Sequence, residues 1–86
     1  MKIAIIGYGK MGHEIEKTAR DKNIDCVIID PTAENADFKV IDEESLEGVD
    51  VCVDFTNPEV VVENIIKAAC LGKNIVVGTT GWYGKI

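Results

Sequence analysis

The sequence predicts an α/β fold, a doubly wound parallel sheet, and three observations predict it. Short apolar runs alternate with stretches of helical periodicity, the pattern of βαβ units. The first run, Lys2-Ile3-Ala4-Ile5-Ile6, passes directly into Gly7-Tyr8-Gly9-Lys10-Met11-Gly12, a G-x-G-x-x-G turn between a strand and a helix. A second run, Cys26-Val27-Ile28-Ile29, ends in Asp30, close to the roughly 20-residue spacing at which such a turn is followed by an acidic residue.

The first strand is read as Lys2 to Ile6, continuous and apolar as a strand buried on both faces should be. Each glycine that follows has a physical task. Gly7 permits the tight turn out of the strand. Gly9 carries no Cβ, so backbone there can approach a pyrophosphate. Gly12 allows the helix to pack close to the sheet. The helix start offers unpaired N–H groups and a partial positive charge to phosphates. This helix is expected from Met11 to about Lys22, with Met11, Ile15 and Ala19 on its apolar face.

The second strand is expected over Asp25 to Ile29, and Asp30 then stands where an adenosine ribose would be met. Pro31 to Asp37 is polar and too short for a helix. Phe38-Lys39-Val40 reads as a short third strand. Asp42 to Gly48 is acidic with one apolar anchor, Leu46, and reads as a helical turn with a solvated face. Asp50-Val51-Cys52-Val53-Asp54-Phe55 is an apolar strand with a polar end, followed by Thr56. Asn57 suits an N-cap and Pro58 the first helical position, where its missing N–H costs nothing. The helix Pro58 to Leu71 is expected to bury Val61, Ile65 and Ala69, and Gly72 to end it at C′. Asn74-Ile75-Val76-Val77 is the last strand and runs into Gly78-Thr79-Thr80-Gly81. Right-handed crossovers place the two helices on opposite faces. Both glycine loops and Asp54-Phe55-Thr56 then lie at carboxyl ends of strands, where such sheets bind ligands.

Composition bounds the function. With 86 residues, 47% hydrophobic, and a net charge of −6, the chain has room for one small soluble domain. The acidic balance argues against nucleic acid and anionic membrane surfaces. It leaves a nucleotide ligand open, because a glycine loop holds phosphates with backbone dipoles. No apolar run reaches the ~20 residues of a membrane span, and Met1 leads straight into the first strand with no signal peptide expected. The three cysteines, Cys26, Cys52 and Cys70, are widely spaced and read as buried thiols in a reducing compartment, with no metal expected. Gly78-Thr79-Thr80-Gly81 brings two hydroxyls to a strand end, suited to a nicotinamide amide or ribose and equally to a solvated turn.

These residues resemble a known family. The Gly-x-Gly-Lys-Met-Gly start, Asp54-Phe55-Thr56-Asn57-Pro58, and the block from Gly72-Lys73 through Gly78-Thr79-Thr80-Gly81 are similar to the N-terminal half of the dihydrodipicolinate reductases, also called 4-hydroxy-tetrahydrodipicolinate reductases. The last two blocks separate this family from other dinucleotide-binding folds. The resemblance covers the whole chain and implies a Rossmann-like domain over residues 1–86, truncated before a catalytic second domain. It implies NAD(P)H-dependent reduction of a small cyclic dicarboxylate in diaminopimelate and lysine biosynthesis, in the cytoplasm, by a homotetramer. Gly7, Gly9, Lys10, Met11 and Gly12 match the family's cofactor loop, and Asp30 matches its ribose acid. Phe55 and Thr56 match strand-end residues beside the cofactor, and Gly78, Thr79 and Thr80 match the loop near the nicotinamide.

Many members carry an arginine after the ribose acid or after the Phe-Thr pair. Here those places hold Pro31 and Asn57, and the Asp30 carboxylate repels a 2′-phosphate. NADH is therefore expected as the preferred cofactor, with NADPH also accepted. The family's catalytic His and Lys lie in the second domain. The single histidine here, His13, reads as an exposed helix residue, so no catalytic residue is assigned. Two other readings stand beside this one: an aspartate or homoserine dehydrogenase-like reductase, and a noncatalytic NAD-sensing module like the regulatory domains of ion transporters. With the next helix and strand of the fold absent, an open sheet edge and self-association of the piece are expected.

Overall fold

The computed structural model describes residues 1–78. The order of elements is β1 (Lys2–Ile6), α1 (Lys10–Asp21), β2 (Asp25–Ile29), β3 (Val51–Asp54), α2 (Pro58–Cys70) and β4 (Asn74–Val77). The strands form one parallel sheet in the order β2-β1-β3-β4. The chain builds outward on one side of β1, then returns to build on the other. The switch point between β1 and β3 is where open α/β sheets hold their ligands. The fold class is the one the sequence predicts, a Rossmann-like α/β layer arrangement.

Side-chain alternation along the strands splits the core in two. Ile3, Ile5 and Ile28 pack with Ala19 of α1. Ala4, Ile6, Val27, Ile29 and Cys52 face the other way and pack with Ala68 of α2. The helices therefore cover opposite faces, as the crossover rule requires. Asn57 caps α2 by accepting the Glu59 N–H at 2.9 Å. Gly72, at φ +73°, takes the left-handed turn after its last residues, a conformation glycine adopts without a Cβ penalty.

Three expectations about burial change. Met11 is half exposed, because α1 comes so close to the sheet at Gly12 that the buried position of that turn is the glycine. Ala69 is exposed and Ala68 is fully buried. Two helical turns take about 7.2 residues, so position 68 lies almost above Val61 while position 69 is rotated away by roughly 80°. Ile65 is half-buried beside them. Cys70 is exposed and Cys26 half-buried, so of the three thiols only Cys52 sits fully in the core.

The expected third strand at Phe38-Lys39-Val40 is a single parallel bridge, Ile29 to Phe38. Asp37 explains why. Its carboxylate accepts the outward Ile28 N–H at 2.8 Å, a donor a full strand would have needed. The outer edge of β2 is thereby closed by a side chain, one way natural sheets protect an edge. Asp42 to Gly48 forms the expected turn. The Leu46 N–H donates to the Asp42 carbonyl at 3.1 Å, and Leu46 is buried beneath a solvated acidic face.

Candidate cofactor-binding site

Parallel register lines up the strand ends. Ile6 pairs with Ile29 on one side and with Asp54 on the other, and Asp54 pairs with Val77. The next residue of each strand is therefore Asp30, Gly7, Phe55 and Gly78, in that order across the sheet. The ladder continues into this row: Gly7 N–H donates to Ile29 O, Phe55 N–H to Ile6 O, and Gly78 N–H to Asp54 O, each at 2.9 Å. Four expected site residues thus form one line, about 14 Å long at the spacing of paired strands. A cleft of about 580 Å³ opens along the first three of them, Asp30, Gly7 and Phe55. Gly7, Tyr8 and Gly9 form one wall, Asp30 to Thr32 with Lys39 to Ile41 another, and Phe55 to Asn57 with Val60, Asn64 and Lys67 of α2 a third. Such a volume suits a small-molecule site.

The glycines of the loop divide by task. Gly7 has φ +92°, and a Cβ there would meet the backbone of Phe55 and Thr56 at 3.1 Å. A Cβ on Gly12 would meet the Gly7 carbonyl oxygen at 2.5 Å. A Cβ on Gly78 would enter the Phe55 ring. Gly9 differs: a Cβ there would meet nothing within 4 Å. Its bare face opens to the space a ligand would fill. Gly9 is also the N-cap of α1 and supplies no capping side chain, and no acidic residue occupies the first turn. The first-turn N–H groups have no partner within the helix, and the positive end of the dipole is left for an anion. Lys10 and Met11 stand exposed at this helix start.

Tyr8, between the first two glycines, organises the loop. Its ring stacks on His13 with centroids 3.7 Å apart. The His13 Nδ1 lies 2.7 Å from the Gly9 carbonyl, which can only accept, so the proton sits on Nδ1. The Tyr8 hydroxyl donates to Glu16, which also pairs with Arg20 at 2.8 Å. The hydrogen bond from Tyr8 and the ion pair with Arg20 hold the Glu16 carboxyl below its usual range, and the Glu16 contact pushes the Tyr8 phenol up. His13 is exposed, as read, and it braces the loop.

Asp30 is tied on all sides. One carboxylate oxygen accepts the Tyr8 N–H at 2.7 Å; the other accepts Thr32 N–H, Thr32 Oγ1 and Ala33 N–H. Partial burial works against its charge, but these hydrogen bonds together hold the carboxyl below its ordinary value. The native state therefore releases this proton more readily than the unfolded chain. The stability contributed by Asp30 is present above the unfolded value, near pH 4, and is lost as pH falls through the native value. Asp30→Asn is expected to melt below the wild type at pH 7, with the gap closing in acid. Thermal melts at pH 7 and pH 3 check this, and a gap of equal size at both would contradict it.

At the next strand end a carboxylate lies deeper. Asp54 is fully buried, accepts the N–H and hydroxyl of Thr56, and accepts Asn64 Nδ2 at 3.0 Å. This fixes Thr56 against α2 at the cleft wall. The sequence places Asp54-Phe55-Thr56 at the ligand end of the sheet and assigns Phe55 and Thr56 to the cofactor; it gives no role to Asn64, Lys39 and Lys67, nor to Asp54 as the buried support of Thr56. The available signal was Asn64, a polar residue amid the apolar periodicity of α2. Thr79 and Thr80, also assigned, lie outside the described residues. Among the described residues no three His, Cys, Asp or Glu side chains converge on a metal position, and no helix is long and apolar enough to cross a membrane.

A family model described as dihydrodipicolinate reductase, N-terminus, matches residues 1–85. The chain is 34% identical over 83 residues to a 4-hydroxy-tetrahydrodipicolinate reductase of Christiangramia forsetii, covering 95% of this chain and 32% of that protein. It is 39% identical over 94 residues to the Streptococcus uberis protein of that name, covering 99% and 37%. With the Staphylococcus carnosus protein of that name, identity is 34% over 89 residues, covering 100% and 36%. The chain spans about a third of the length of the curated relatives it matches.

Proposed function

The chain belongs to the dihydrodipicolinate reductase family, matching its N-terminal part, and from this premise we propose that it is the cofactor-binding domain, residues 1–86, of an NADH-preferring reductase. The observation that carries the proposal is the row Asp30-Gly7-Phe55 along one cleft, with Gly78 next in the row at the end of β4 and the bare face of Gly9 open beside the start of α1. Gly7 makes the turn beneath the pyrophosphate, its own N–H held by the Ile29 carbonyl, and Gly9, Lys10, Met11 and Gly12 take the pyrophosphate with backbone N–H groups. Asp30 meets the adenosine ribose, Phe55 and Thr56 line the middle of the cleft, and Gly78, Thr79 and Thr80 take the nicotinamide end. When bound, the dinucleotide supplies hydride for reduction of a cyclic imine-type dicarboxylate. This chain's share is binding and orientation. The substrate, the lysine and diaminopimelate pathway, the cytoplasmic setting and a homo-oligomeric, tetrameric assembly all follow from the family and belong to the same proposal.

The test is a titration of the chain with NADH and with NADPH, read by cofactor fluorescence. Saturable binding, tighter for NADH, is expected. Comparable dissociation constants for the two would overturn the preference, and no binding of either to a folded chain would overturn the reading itself.

A further inference from the structure

We propose that Lys39 is the residue through which this cleft admits a 2′-phosphorylated dinucleotide; the proposal rests on the dinucleotide reading above and adds a specificity residue to it. The sequence places Lys39 outside every motif. The fold brings it to the ribose acid. Phe38 bridges to Ile29 in parallel register, and the Asp30 N–H donates to the Phe38 carbonyl at 3.0 Å. Residue 39 therefore lies against the Asp30 turn, and Lys39 lines the same end of the cleft as Pro31 and Thr32.

Its charge is available there. The ammonium donates to the neutral Ala33 carbonyl at 2.8 Å. Among the described residues the ion pairs are Arg20–Glu16 and Lys67–Glu63, so Lys39 has no carboxylate partner. Ala33 is also the residue whose N–H donates to Asp30. One turn thus presents a cation held by a carbonyl next to an anion enclosed by donors. Three donors of the turn, Thr32 N–H, Thr32 Oγ1 and Ala33 N–H, fall on one Asp30 oxygen, so part of its negative charge is met within the turn, while the other oxygen accepts only Tyr8 N–H and keeps room for a ribose hydroxyl. A phosphate at this end would meet the ammonium of Lys39, and repulsion from Asp30 would be offset in part. Lys39 takes the role that an arginine at position 31 or 57 would have filled, from a different segment.

The experiment compares Lys39→Met and Lys39→Arg with the wild type, titrating each with NADPH and NADH at two salt concentrations. Lys39→Met is expected to weaken NADPH about tenfold, as loss of one charge-assisted contact at an exposed site should. NADH is expected to stay within twofold, and Lys39→Arg to keep NADPH binding. The salt sensitivity of NADPH binding should fall in Lys39→Met. An unchanged NADPH constant beside unchanged NADH would overturn the role of Lys39 and leave the dinucleotide reading standing. Equal weakening of both cofactors would also overturn it, since Lys39 would then merely support the turn. Failure of the wild type to bind either cofactor would overturn the dinucleotide reading and this proposal with it.

Discussion

Gly12→Ala is expected to destabilise the chain by about 3 kcal/mol, while Gly9→Ala leaves the fold in place and weakens dinucleotide binding at least tenfold. Both glycines belong to one motif, and the structure separates their reasons. A Cβ at position 12 would lie 2.5 Å from the Gly7 carbonyl oxygen and 3.5 Å from an Ile5 methyl. The first is backbone and cannot rotate away. Either α1 retreats from the sheet or the Gly7 turn, already at φ +92°, must shift. Overpacking of this kind costs about 1–3 kcal/mol and sometimes more, and alanine recovers up to about 1 kcal/mol of helix propensity. The backbone character of the clash places the net loss at the upper end. For a domain this small, such a loss lowers the melting temperature by roughly 10–20 °C.

Position 9 has φ −90° and ψ −156°, which alanine adopts without strain, and open space where the methyl would go. Its stability should change by less than about 1 kcal/mol, the scale of a lost cap. The methyl would stand where the pyrophosphate must approach, so affinity for NADH should fall at least tenfold (about 1.4 kcal/mol). Thermal melts and cofactor titration of both variants check the pair. A stable Gly12→Ala would show that α1 does not need its close approach. A Gly9→Ala that binds NADH normally would place the phosphates elsewhere.

Strand positions were readable because parallel strands buried on both faces are continuous apolar runs, and β1, β2 and β4 occupy the predicted residues. The cleft was readable because its known parts are the residues that follow those runs. What escaped reading depends on angles and on contacts between segments. Met11 and Ala69 were assigned to buried faces by counting in steps of four. A helix turns by 3.6, and the glycine at position 12 removed the room in which Met11 would have packed. The exposed Cys70 follows Ala69 on the same outward arc of α2. Lys39 reaches the Asp30 turn only through the bridge at Phe38, which no local pattern announces, and Asp37 replaced the strand expected there by spending its carboxylate on the Ile28 N–H.

The contact between Asp54 and Asn64, which no local pattern announces, yields the second large effect. Asp54→Asn and Asn64→Asp are each expected to cost about 2–3 kcal/mol, and the two together to recover most of that loss. Asp54 is fully buried, with one oxygen on Thr56 and the other on Asn64 Nδ2. An asparagine at 54 can still accept from Thr56, but its own amide then faces the Asn64 amide, donor against donor, and turning the Asn64 amide over gives up its second contact, to Thr56 Oγ1 at 3.4 Å. An aspartate at 64 sets two carboxylates together in a site without a nearby cation among these contacts. Each single change leaves a buried polar group without its partner, the expensive case for hydrogen bonds. Exchanging the residues restores one donor and one acceptor across the same 3.0 Å gap. Urea melts of the four chains give the coupling energy directly, expected at about 2 kcal/mol or more. Additive losses would mean that Asp54 matters only through Thr56. Strong coupling would make α2 the support of Thr56 at the cleft, and NADH affinity should then fall in each single variant and return in the exchanged pair.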